Sequence, residues 1–196
     1  MATGDAGFFD GDEHLKIIDR AKDVGRMNDG TMFAPKYIEN KLKFFPFVKE
    51  VVAFGHEKDF ASAFICIDIE AVGNWAERRS LAYSGYTDLS ARSEVYDLLQ
   101  ECVETVNTDL ARDEKLRSSQ IKRYLLLHKE LDADDGELTR TRKVRRRIIA
   151  EKYGELIDAL DDPDQTHKEI ESQMTFEDGR IGTVHADLQI REATLI

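Results

Sequence analysis

Two runs rich in β-branched and aromatic residues, FVKEVVAFG (47–55) and FASAFICIDIE (60–70), are separated only by the polar turn HEKD. Such side chains fit a pleated, half-buried surface, so the pair reads as the core of a sheet. A third apolar run, IKRYLLLH (121–128), supplies another buried strand. Between these runs lie a short helix around Trp75 and a longer one beginning near Asp88, on which Val95, Leu98, Leu99, Cys102, Val103 and Val106 recur at helical spacing. After the acidic, Gly-containing KELDADDGELT, read as a loop, Val144, Ile148, Ile149, Tyr153, Leu156, Ile157 and Leu160 predict a closing helix. The expected class is α+β: a small mixed sheet of about three strands flanked by helices, with peripheral β-hairpins.

Those hairpins are predicted at both ends. Phe8 and Phe9, the turn DGDE and then HLKIIDR form the first. In KDVGRMNDGTMF a second is expected around Asn28, Asp29 and Gly30, with Gly30 at positive φ. Pro35 suits the first turn of a following helix, where no amide hydrogen is lost; Ile38 and Leu42 share its face and Pro46 ends it. Beyond DDPDQT (161–166), a last hairpin is expected from IESQMTF, the turn EDGR and IGTVHADLQI, as an appendage.

With 34% charged and 41% hydrophobic residues, the 196-residue chain has the composition of a folded soluble protein. Its longest apolar runs fall far short of a membrane span of about 18 residues, and the N-terminus does not read as a signal peptide. Cys66 and Cys102 lie in apolar patterns and read as buried thiols in a reducing compartment. The expected location is cytoplasmic, with peripheral membrane association and homodimerisation left open.

Against a formal net charge of -11, the stretch ELTRTRKVRRR places six basic residues between Arg140 and Arg147. Positive charge at a helix start opposes the helix dipole by about 0.3–1 kcal/mol per residue, so stability does not explain it. With Arg142 and Lys143 starting the helix and Thr141 as cap, an anion would meet both helix amides and basic side chains. Three readings stay open: a small phosphorylated ligand, a solvated helix face and nucleic acid. The last is disfavoured by the acidic remainder and by the lack of aromatic residues interleaved with the basic ones.

Two motifs in order narrow these readings. TGDAGFFDGDEHLKIIDRAKD followed by NDGTMFAPKYIENKL, and about a hundred residues later GELTRTRKVRRR, resemble the C-terminal domain of AMP-forming acyl-CoA synthetases, especially long-chain fatty acid–CoA ligases. The second resembles that subgroup's Leu-Thr-Pro-Thr-x-Lys-x-x-Arg loop. The resemblance runs from about Thr3 to Leu160. It implies an enzyme that makes an acyl-adenylate from a carboxylic acid and ATP and then passes the acyl group to coenzyme A, its small C-terminal domain rotating between the two steps.

By that resemblance, Asp5 holds the ribose hydroxyls of the nucleotide, Arg20 contacts the same region, and Lys22 is the hinge. Gly30 lies where pantetheine passes, and Lys143 enters the active site for adenylation. Arg140 stands where the loop has proline, and Arg142 where the wider superfamily has glycine; contact of these arginines with ATP or coenzyme A phosphates is the alternative expectation. Residues 1–22 are expected to be the end of the N-terminal domain and the hinge, 23–160 the mobile domain, and 161–196 a C-terminal hairpin extension.

The Gly-rich phosphate loop and acyl pocket of such enzymes have no counterpart here, since the 12 glycines are scattered. The chain is therefore expected to be a fragment, inactive alone, that works with its own N-terminal domain on a fatty acid, ATP/AMP and coenzyme A. Mg2+ is expected to be shared with or held by that missing domain. No metal ligands and no nucleic-acid partner are expected in this chain. The alternative is a stand-alone, non-catalytic module of the same fold that docks on a partner synthetase.

Overall fold

In the computed structural model, which describes residues 4–9, 14–21, 23–175 and 181–196, the apolar runs form the centre of a mixed sheet. Strands β5 (Val48–Phe54) and β6 (Ala61–Ile67) pair antiparallel, and β6 pairs parallel with β7 (Ile121–Leu126). A parallel pair needs a long crossover, and the chain makes it through α2 (Ile69–Glu77), α3 (Tyr86–Ser90) and α4 (Ser93–Ala111). Every residue of β6 is buried, because both faces of the sheet are covered. Ala63, Ile65 and Ile67 pack toward α4 and α1 (Pro35–Leu42). Phe64 and Cys66 point the other way, toward α5 (Arg146–Lys152) and α6 (Gly154–Asp161).

The terminal elements follow the same logic. β1 (Asp5–Phe9) and β2 (Leu15–Arg20) form the first hairpin, and β3 (Gly25–Arg26) and β4 (Met32–Phe33) the second, with Gly30 at φ 85°. The DGDE and EDGR turns expected from the sequence lie outside the described residues.

Five expectations change. The sheet has five strands rather than about three, in the order β5-β6-β7-β9-β8. The last hairpin, β8 (His167–Thr175) and β9 (Ile181–Glu192), is not peripheral: β9 pairs with β7, and its Leu188 and Ile190 are buried. An open edge on β7 would leave backbone groups unpaired beside the core, and β9 satisfies them. The closing helix is two helices broken at Tyr153, whose φ and ψ of −118° and 25° leave the helical range just before Gly154. The helix near Asp88 is likewise divided into α3 and α4, and α1 ends at Leu42, four residues before Pro46.

Arg123 fastens β7 to the end of α6. Its buried guanidinium donates to the carbonyls of Ala159 (3.2 Å) and Leu160 (2.9 Å), and also to those of Asp162 and Gln165. The last carbonyls of a helix lack intrahelical donors, so a cation there both satisfies them and complements the helix dipole.

Candidate active site

The helix does not start at Arg142 and Lys143. Leu138 and Val144 make an isolated antiparallel bridge, and within it the Thr139 amide donates to the Lys143 carbonyl at 2.8 Å. Arg142 at the tip adopts φ 56°, a left-handed conformation that excludes it from a helix. Helix α5 begins only at Arg146, with Arg145 as an N-cap whose side chain makes no cap bond. The proposed cap Thr141 instead lies in the turn, its hydroxyl 3.1 Å from that of Thr139.

This geometry corrects the helix-amide part of the anion reading. The amide of Lys143 donates to Thr139 Oγ1 at 3.0 Å, that of Arg142 to the Thr139 carbonyl, and that of Arg145 to the Glu137 carbonyl. These three amides are already engaged and are not free to meet an anion.

The loop stands on a buried ionic network. Glu137 is fully buried, and its two carboxylate oxygens accept four hydrogen bonds: Lys152 Nζ at 2.8 Å and the Tyr153 hydroxyl at 2.7 Å on one, Lys129 Nζ and the Asp132 amide, both at 2.9 Å, on the other. Burial alone would raise the Glu137 carboxyl. The bonds from Lys152, Tyr153 and Lys129 outweigh it and hold the group below the usual carboxylate range. Burial likewise opposes the charge of Lys129, but its bonds to Asp135 and Glu137 push its pKa above the ordinary lysine value.

On the other side of the loop, Arg146 donates to the Ala53 carbonyl at 2.9 Å and pairs with Glu39. Glu39 is itself buried, and accepts from the Ala53 amide at 3.0 Å. An acidic partner thus compensates the charge that the α5 dipole disfavours.

Between these supports and the N-terminal hairpins opens a cleft of about 1090 Å³. Arg20, Lys36, Lys58, Lys143, Arg146 and Arg147 line it, together with His56, and Asp23 is the acidic residue of its lining. Several of these cations have partners: Lys36 and Arg146 with Glu39, Lys58 with Asp161, Arg147 with Glu151. Lys143 is exposed, and among the described residues no carboxylate pairs with it. A cleft of this kind suits a ligand bearing several negative charges.

The structure brings together Arg20 and Lys143, which line the same cleft. Asp5 is not in that lining, but it stands directly opposite Arg20 in the β1–β2 ladder. Gly30 is also outside the lining, on the β3–β4 turn, where its carbonyl accepts from the Arg26 guanidinium at 3.1 Å. Lys22 lies outside the described residues. Arg140 and Arg142 are exposed and do not line the cleft. Sequence reasoning missed Lys36, His56 and Lys58 at the cleft and Glu137 beneath it. Arg146 was visible as the last position of the loop motif, but not as the partner of Glu39.

Residues 22–164 match the family described as AMP-binding enzyme C-terminal domain. The chain is similar to the long-chain-fatty-acid–CoA ligase FadD15 of Mycobacterium tuberculosis, 32% identical over 159 residues, which covers 81% of this chain and 26% of that protein. It is also similar to the long-chain-fatty-acid–CoA ligase 1 of Cavia porcellus, 31% identical over 162 residues, covering 82% and 22%. Among solved structures, the adenylation domain of a carboxylate reductase from Mycobacterium chelonae shares its fold, with a TM-score of 0.56 and 24% identity over 81% of this chain and 22% of that one. The chain therefore spans about a quarter of the length of the curated relatives it matches.

Proposed function

The chain belongs to the AMP-binding enzyme C-terminal domain family, and on that premise we propose that it is the mobile, lysine-bearing domain of an AMP-forming fatty acid–CoA ligase. In this reading the ligase joins a fatty acid to ATP as acyl-AMP, releases pyrophosphate, and then transfers the acyl group to coenzyme A. Residues 1–22 end the N-terminal domain and carry the hinge at Lys22, 23–160 form the moving body, and 161–196 are an extension whose strand β9 is built into the sheet.

The observation that carries the reading is the position of Lys143, exposed on a loop held at both ends and facing a cleft that Arg20 shares. Attack of a carboxylate oxygen on the α-phosphorus gathers negative charge on the phosphoryl oxygens, and a positioned ammonium stabilises that charge most in the transition state. Arg20, with Asp5 across the ladder, is assigned to the ribose end of the nucleotide. Gly30, at positive φ with no heavy atom within 4 Å of where a Cβ would stand, is assigned to the path of pantetheine.

Among the described residues no group of His, Cys, Asp or Glu is arranged to hold a metal, and Mg2+ and the acyl pocket are assigned to the rest of the ligase. Among these residues, too, no helix is long and apolar enough to cross a membrane. The chain alone is expected to be inactive. Replacing Lys143 by alanine in a ligase that carries this domain, and timing the two half-reactions separately, tests the reading.

A further inference from the structure

We propose that Glu137 is the positioning residue of the Lys143 loop, fixing through its buried carboxylate where that lysine can reach. The inference rests on the reading of Lys143 given above and adds to it a residue that touches neither nucleotide nor acyl group. Glu137 immediately precedes the Leu138–Val144 bridge, and its own carbonyl accepts the Arg145 amide at 2.9 Å. The loop is thus closed on Glu137 at both of its ends. Its side chain ties that closure to three separate segments: Lys129 after β7, Asp132 in the preceding turn, and Lys152 with Tyr153 at the break between α5 and α6. Tyr153 in turn packs edge-on against Phe64 of β6, with ring centroids 6.1 Å apart. The loop tip is exposed, but its base is built into the sheet.

Each carboxylate oxygen of Glu137 faces a lysine ammonium, which can only donate, beside the Asp132 amide on one oxygen and the Tyr153 hydroxyl on the other. Glutamine has the same shape but must present its NH2 to one of those donor pairs, so Glu137→Gln leaves donors facing a donor in a buried place. The expected consequence is a loosened loop on an otherwise intact domain.

Limited proteolysis of the full 196-residue chain with trypsin reads this directly. Cleavage after Arg140, Arg142 and Lys143 should quicken at least tenfold in Glu137→Gln, while cleavage at the exposed Arg78 and Arg79 stays at the parent rate. Equal rates at the loop, or an equal rise at both places, would overturn the inference. Lys152→Met, which removes one donor whose side chain is 39% exposed, should quicken loop cleavage about threefold with the fold retained; it decides the matter if Glu137→Gln does not fold, and an unchanged rate counts against the proposal.

In a ligase carrying the domain, Glu137→Gln should slow acyl-AMP formation at unchanged KM for ATP and add no further loss when Lys143 is already alanine. A multiplied loss in the double variant marks a merely structural role and rejects positioning. If Lys143→Ala itself leaves adenylation intact, it is the reading of Lys143 that fails, whatever the loop does in trypsin.

Discussion

Arg20 and Lys143 line one cleft, the first from the end of β2 and the second from the loop before α5. Their separation of roles gives the first prediction. If Arg20 holds the ribose end of the nucleotide, Arg20→Gln loses a charge-assisted contact worth about 1.5–3 kcal/mol. The KM for ATP should rise roughly 10- to 100-fold with the maximal adenylation rate little changed. Steady-state kinetics at saturating fatty acid would show it, and an unaltered KM would remove Arg20 from the nucleotide site.

A second prediction concerns pH. Burial, reinforced by the charge of Lys129, lowers the His128 pKa to about 4. The unfolded chain, with its histidine near 6.5, binds the proton first. Stability contributed by keeping this imidazole neutral is therefore fully present above about pH 6.5 and is lost as pH falls toward 4, on the order of 3 kcal/mol in all. Urea titrations of the parent chain and His128→Asn between pH 7 and 4 should give a shallower acid slope for the variant. Parallel slopes would mean that His128 is not a source of the acid sensitivity.

Arg146 offers a third. Its removal leaves the Glu39 carboxylate, 3% exposed, with the Ala53 amide and Lys36 as its remaining partners among the described residues. Losing one member of a fully buried pair costs about 3–5 kcal/mol, and with the Arg146 side chain 36% exposed the expectation falls to about 1–3 kcal/mol for Arg146→Met. Chemical denaturation should report that loss with an unchanged m-value. A loss under about 0.5 kcal/mol would show that the pair does not anchor α5 to α1 and β5.

The glycines give a fourth. A Cβ at Gly25 would lie 2.8 Å from the His56 ring, and one at Gly55 only 2.6 Å from the Phe33 ring. Alanine at either position forces neighbouring rings to move and should cost about 1–3 kcal/mol. Gly30→Ala meets no atom within 4 Å and carries only the strain of φ 85°, about 1 kcal/mol. If pantetheine passes this turn, Gly30→Ala should slow thioester formation more than it lowers stability. Thermal melts of the three variants, with thioester assays for the last, separate packing from passage.

What the sequence showed and what it hid follow from the range of the forces involved. Strands β5, β6 and β7 were visible because their β-branched and aromatic runs are local. The same holds for Pro35 at the start of α1 and Gly30 in its turn. The pairing of β9 with β7 was not visible, because an alternating strand does not reveal which distant edge it will complete. The start of α5 was misplaced because periodicity from Val144 onward cannot register Arg142 at φ 56° or the bridge between Leu138 and Val144. KELDADDGELT reads as a solvated acidic loop, and only the tertiary structure turns Glu137 into a buried acceptor of four hydrogen bonds. The meeting of Arg20 with Lys143 was suggested by motif resemblance alone, since no local pattern links residues so far apart.

Lys143 is assigned to the first half-reaction and not to the second, and rapid-quench timing of each step in Lys143→Ala of a ligase carrying this domain separates the two. Removing a positioned electrostatic donor typically costs 10²- to 10³-fold in rate, about 2.7–4 kcal/mol. Acyl-AMP formation from fatty acid and ATP should fall by that order, with thioester formation from supplied acyl-AMP within about threefold of the parent. Equal losses in both steps, or an adenylation rate left intact, would contradict the assignment.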